Sequence, residues 1–107
     1  MIVSTTAEVA GKKVVRTLGL VRGNTIRARH LGRDIMAKLR NLVGGEVTEY
    51  TKLFAEAREQ SLDRMVAEAK DLGGNGIIEA RFATSMVMDG AAELLAYGTA
   101  VVLEDAS

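Results

Sequence analysis

The chain has 107 residues, 48% of them hydrophobic and 26% charged, with one histidine and no cysteine, proline or tryptophan. That is the composition of a soluble folded chain, and a single domain over residues 1–107 is expected. It excludes disulfides, thiolate metal sites and cysteine nucleophiles, and one histidine cannot build a multi-histidine metal cage within one subunit.

Fourteen basic residues balance fourteen acidic ones, but unevenly along the chain. Residues 1–43 hold nine Lys/Arg against Glu8 and Asp34, a balance of +7, and residues 44–107 hold five against twelve Asp/Glu, a balance of −7. Halves of opposite sign attract each other within a subunit or across a subunit boundary. The start, Met1 to Thr6, has neither a basic region nor a long apolar core, and no apolar stretch approaches the roughly 18 residues of a membrane span. A cytoplasmic protein without membrane contact is the expectation.

In chain order, Ile2 and Val3 are a short apolar start, and Gly11 ends a turn before a strand over Lys13 to Val21. Gly19 within that run marks a bulge or a close backbone approach. Gly23-Asn24-Thr25 reads as a turn or kink before Ile26. From Leu31 the period changes: Leu31, Ile35, Leu39, Leu42 and Val43 form the apolar stripe of an amphipathic helix closed by Gly44-Gly45. A longer helix is predicted from Thr48, a suitable N-cap, to Leu72, with Tyr50, Phe54, Ala57, Ser61, Met65, Ala69 and Leu72 inward. Gly73-Gly74-Asn75-Gly76 stops it.

Two strands, Ile77 to about Val87 and Glu93 to Leu103, then flank a hairpin signal at Asp89-Gly90. The last strand is apolar on both faces, with Leu95, Tyr97, Val101 and Leu103 on one and Leu94, Ala96, Ala100 and Val102 on the other. A small antiparallel sheet packed by two helices, an α+β fold, follows. A sheet apolar on both faces and open at its edges calls for a partner, and another copy of the same chain is the simplest one.

Thr5-Thr6, Gly19-Leu20-Val21-Arg22-Gly23, Arg33-Asp34, Arg40, Gly44-Gly45, Tyr50, Ala57-Arg58, Leu72-Gly73 and Tyr97-Gly98-Thr99-Ala100-Val101 occur in an order that resembles the YbjQ family over nearly the whole chain. That family carries the label "putative heavy-metal-binding" and has no established biochemical activity. The resemblance implies a small α/β subunit similar to the dodecin-like class, assembled as a ring-shaped homopentamer. Two positions depart from the family pattern: Glu79 stands where glycine is common, and Ala83 where an aspartate often follows the phenylalanine.

The chemistry available is sparse. Soft metals favour thiolate, and imidazole suits zinc, copper and nickel. Met65, Met86 and Met88 supply thioethers, but at spacings typical of core filling. No metal ligand and no cofactor is therefore assigned, although five copies could still converge one ligand on a ring axis. His30 and Asp34 at i, i+4 could share a proton, and Ser61 or Ser85 could complete a triad. Without a Gly-x-Ser-x-Gly elbow, no catalytic residue is assigned and the chain is read as a non-enzyme.

Arg33, Asp34, Tyr50 and Arg58 coincide with the family's pattern. They are read either as a salt-bridge network that fixes helix or subunit orientation or as an anion pocket. Nucleotide-binding glycine patterns are absent. The basic run Arg22, Arg27, Arg29, Arg33, Lys38 and Arg40, repeated on a ring, supports an alternative as an RNA- or polyanion-binding ring. Zero net charge and the lack of interleaved aromatic residues weigh against it.

Overall fold

The computed structural model describes residues 1–26, 48–88 and 91–107, with side chains throughout these except at 48–53, 86–88 and 91. Among them, β1 (Ile2–Val3), β2 (Lys12–Ile26), α1 (Thr48–Asp71), β3 (Gly76–Met88) and β4 (Ala91–Asp105) follow one another in the chain. The strands form one sheet in the order β1-β3-β4-β2. β4 pairs antiparallel with β2 on one side and with β3 on the other.

The sheet is mixed and four-stranded, which corrects the antiparallel expectation: Ile2 and Val3 pair parallel with Gly76 and Ile77. Two residues are too short to carry a periodic signal, and their place is set by tertiary hydrogen bonds. Ser4 donates its N–H to the Ile77 carbonyl at 2.9 Å, and Ala80 donates to Ser4 at 2.9 Å. The expected helix over Leu31–Val43 and the hairpin residues Asp89-Gly90 lie outside the described residues.

A second correction concerns Gly23-Asn24-Thr25. No turn forms there; β2 runs on through Ile26 with Gly23 opposite Ala96. Gly23 is required by packing. A Cβ at this position would lie 2.2 Å from the Ser61 carbonyl oxygen, 2.5 Å from the Met65 nitrogen and 2.8 Å from the Arg64 Cβ. The missing side chain lets α1 rest on the strand backbone, one of the two readings that a glycine within a strand allows. The other operates at Gly19, where the β2–β4 register shifts after Thr17.

α1 ends as its glycines predict. Gly73 adopts φ 87°, a left-handed conformation costly for other residues. Its N–H donates to the Lys70 carbonyl at 2.9 Å and that of Gly74 to Ala69 at 2.9 Å, the paired bonds of a Schellman cap. Along the helix Ala57, Ser61, Met65 and Ala69 are buried as expected. Leu72, assigned to the same stripe, is instead 47% exposed, because the helix ends at Asp71 and the chain turns away.

The core under α1 comprises Val21, Met65, Ala69, Ile77, Ala80, Ala96 and Ala100, with Leu18, Leu62 and Val66 packed against it. Four of those seven buried residues are alanines, so helix and sheet approach closely while burying little side-chain volume. Asn75 locks the far end of β4: its side-chain oxygen accepts from the Leu103 N–H at 2.7 Å and its amide donates to the Leu103 carbonyl at 2.9 Å.

Candidate interaction surface

The residues singled out as a ligand set are not brought together among the described residues. Arg33 and Asp34 lie outside them, as does His30, and Tyr50 falls in the first turn of α1 with its side chain undescribed. Arg58 is on α1 and exposed, one position past the buried Ala57 and so turned off the sheet-facing stripe.

Ser61 has no free hydroxyl to offer as a nucleophile. It is fully buried, donates to the Leu94 carbonyl at 3.0 Å, and shares a hydrogen bond with the Thr25 hydroxyl 3.0 Å away. This small network ties α1 to β2 and β4 and satisfies two buried polar side chains. Ser85 is exposed on β3.

Among the described residues, the donor set does not fit a soft metal. No group of three or more His, Cys, Asp or Glu side chains gathers among the described residues. The Met65 sulfur is sealed in the core, and the chain has no thiol. Among the described residues, the charged contacts that form are structural. Lys12 and Asp105 pair across the ends of β2 and β4, an ion pair joining the basic and acidic halves of the chain. The hydrogen bond from Lys12, and then its charge, hold the Asp105 carboxyl below the usual carboxylate range. Arg81 donates to the Thr5 carbonyl at 2.6 Å.

What the fold does present is an uncovered surface. Directly opposed residues of an antiparallel ladder share a face. Val21, Gly23 and Thr25 of β2 oppose Gly98, Ala96 and Leu94, the face under α1. The other face carries the rows Arg22–Tyr97–Arg81, Asn24–Leu95–Ala83 and Ile26–Glu93–Ser85, each read from β2 through β4 to β3. Across it, Asn24 donates to the Glu93 carboxylate at 3.2 Å.

Leu20 and Ile26 on this face are 62% and 56% exposed, and Tyr97 is 36% exposed. The expectation of two apolar faces is met only in part at this end: Leu20, Ile26, Leu95 and Tyr97 are apolar, but Arg22, Asn24, Arg81, Ser85 and Glu93 share the face with them. At the other end Val101 and Leu103 are buried, so the uncovered region is local.

No helix among the described residues is long and apolar enough to cross a membrane.

Comparison with known proteins places this architecture. A family model described as "Putative heavy-metal-binding", that of the YbjQ family, matches residues 1–104. A UPF0145 protein of Methanosarcina acetivorans is 57% identical over 101 residues, covering 94% of this chain and 95% of the relative. One from Dehalococcoides mccartyi is 58% identical over 104 residues, covering 97% of this chain and 100% of the relative. Another, from Pyrococcus horikoshii, is 59% identical over 104 residues, covering 97% and 89%.

Among solved structures, a protein of unknown function from Pediococcus pentosaceus, assigned to the DUF74 family, superposes with a TM-score of 0.65. It is 18% identical and the match covers 97% of this chain and 98% of that one, a likeness of fold. With a family model spanning almost every residue and relatives more than half identical along nearly their whole length, the chain belongs to the YbjQ family, whose function is uncharacterised.

Proposed function

We propose that this protein is a non-enzymatic, self-assembling ring subunit of the cytoplasm, active as a homopentamer that offers repeated copies of one surface to a small ligand or ion. The observation that carries the reading is the apolar side chains left exposed on the outer face of the sheet, Leu20 at 62% and Ile26 at 56% exposure. Burying a whole aliphatic side chain is worth about 1.5–3 kcal/mol, and each of these leaves more than half of that gain unrealised in a lone copy. The number five rests on the family resemblance alone.

The ligand set in this reading remains Arg33, Asp34, Tyr50 and Arg58, with an anionic group as the natural guest of two guanidiniums. Because the donor set is wrong for a soft metal, the reading assigns no role to heavy metals. Light scattering on the purified protein tests assembly, with about 57 kDa expected for five copies of 11.4 kDa. A stable species near 11 kDa at micromolar concentration removes the reading.

A further inference from the structure

We infer that the outer face of the sheet is a platform for single-stranded nucleic acid, with a base stacked on Tyr97 and its flanking phosphates held by Arg22 and Arg81. The inference goes beyond the assembly reading, because all three residues belong to one subunit. None of them is part of the ligand set above.

The chain order conceals this arrangement. The basic run from Arg22 to Arg40 contains no aromatic residue, an absence that weighs against a polyanion partner. The sheet supplies from another strand what the run lacks. Tyr97 of β4 stands directly opposite Arg22 of β2 on one side and Arg81 of β3 on the other. Opposed residues of an antiparallel ladder share a face, with Cβ atoms about 4.5–5.5 Å apart. A phenol ring is therefore flanked by two guanidinium groups in one row, which spans about 10 Å from β2 to β3.

All three side chains are exposed. Among the described residues Arg22 meets no acceptor, Arg81 meets no carboxylate, and the Tyr97 hydroxyl has no hydrogen-bond partner. Arg81 is already fixed in place. One terminal nitrogen donates to the Thr5 carbonyl at 2.6 Å and to the Ala80 carbonyl at 2.9 Å, which leaves the other N–H groups of its guanidinium available. Two cations with no counter-charge among the described residues call for an anion, and the ring between them calls for a planar group. A base between two phosphates offers both. An open sheet face suits a strand that spreads its contacts, whereas a small molecule needs a concave site.

The surroundings of the row are compatible with this guest. Leu20 and Leu95, in the adjoining rows, add apolar surface beside the ring. Glu93 shares the face but lies four residues along β4 from Tyr97, about 14 Å away and beyond the screening length of about 8 Å at physiological salt. Its carboxylate already accepts from Asn24. Glu79 is nearer to Arg81 in the chain, but the register shift between Ile78 and Arg81 takes it out of the ladder.

Fluorescence anisotropy tests the platform, using the full-length protein with labelled oligouridylate and oligothymidylate of about twelve nucleotides. Binding of either supports it, since the row addresses base and phosphate and not sugar. Two phosphate contacts per engaged subunit give a log–log salt slope of about −1.4, so affinity falls at least about sevenfold from about 50 to 200 mM salt. Tyr97→Ala weakens binding about 5- to 150-fold, the loss of one stacked base, whereas Tyr97→Phe keeps the ring and the affinity. Arg22→Gln weakens binding and about halves the slope. These positions are exposed, and circular dichroism shows the fold unchanged in each variant. Bromouridine in the oligonucleotide cross-links to Tyr97 on irradiation, as located by mass spectrometry.

Absence of binding at low salt overturns the platform, as does affinity that survives Tyr97→Ala unchanged. Equal affinity for polyphosphate, which has the charge without the bases, overturns it too. Light scattering on the same samples separates the two readings. A multimer that binds no oligonucleotide refutes the platform only, and a species near 11 kDa that binds refutes assembly only.

Discussion

Replacing Gly23 by alanine is the most direct challenge to the way α1 sits on the sheet. Gly23 has no positive φ, so alanine suffers no backbone strain there, and the whole cost is steric. The new methyl would stand 2.2 Å from the Ser61 carbonyl oxygen and 2.5 Å from the Met65 nitrogen. Both are helix backbone atoms that no rotamer change can move, so the helix must lift. Overpacking usually costs about 1–3 kcal/mol, and a clash against backbone belongs at the upper end.

Lifting α1 also stretches the bond from Ser61 to the Leu94 carbonyl and the Ser61–Thr25 pair, each worth about 1 kcal/mol. A total near 3–4 kcal/mol is a large part of the roughly 5–15 kcal/mol that stabilises a domain. With a urea m-value of about 1.5 kcal/mol per molar, the unfolding midpoint falls by about 2 M at fixed protein concentration. Gly73→Ala is the internal control. It has open space but φ 87°, so it loses only about 1 kcal/mol through the backbone. If Gly23→Ala shifts the midpoint no more than Gly73→Ala does, the helix does not rest on β2 and the reasoning fails.

Three further outcomes follow from the same geometry. Glu79, with φ 52°, occupies the left-handed region, so Glu79→Gly raises stability by about 0.5–1 kcal/mol in urea unfolding; a loss shows that the carboxylate has a stabilising role. Asn75→Ala removes both bonds to the Leu103 backbone and costs about 1–3 kcal/mol, with faster amide exchange at Leu103 as the specific readout. Asp105 has its pKa lowered in the folded state, first by the Lys12 hydrogen bond and then by the Lys12 charge, so its stabilising effect is present above the ordinary carboxylate range and is lost as pH falls below it. Asp105→Asn flattens that acid-side dependence, and added salt weakens it in the parent; an unchanged pH profile in the variant contradicts the pairing.

Much of the fold was legible because period and punctuation agreed. The stripe Ala57, Ser61, Met65 and Ala69 sits where its spacing predicts, and Gly73 closes the helix with the bonds its position calls for. Gly19 marks its bulge. The failures share one cause. Gly23-Asn24-Thr25 has the composition of a turn, and nothing local reveals that Gly23 is small because a helix 40 residues later must touch it, as the reach of Arg64 to the Asn24 carbonyl across that separation illustrates. Ile2 and Val3 join the sheet through hydrogen bonds to Gly76 and Ile77, a pairing that two residues cannot announce. Glu79 is a different case: the sequence resemblance already set it against a glycine, and its φ of 52° is backbone that glycine adopts without strain. The ligand set was not legible in this way, since Arg33, Asp34, Tyr50 and Arg58 were joined by family pattern and not by a spacing that puts them on one face.

The alanine-rich core and the uncovered surface are two consequences of one packing choice. Ala69, Ala80, Ala96 and Ala100 let α1 lie close to the sheet, but an alanine contributes far less on burial than the 1.5–3 kcal/mol or so of a larger aliphatic side chain. The larger apolar groups Leu20, Ile26 and Phe82 are held outside that core, at the edges and on the bare face. In the proposed assembly, the burial these side chains lack within one copy is made between copies. A protein arranged this way unfolds at a midpoint that rises with its own concentration, because dissociation precedes or accompanies unfolding. Gly23→Ala and Asn75→Ala should lower that midpoint at every concentration, whereas Phe82→Ser should flatten its concentration dependence, and that difference separates residues that build the subunit from those that join it to its neighbours.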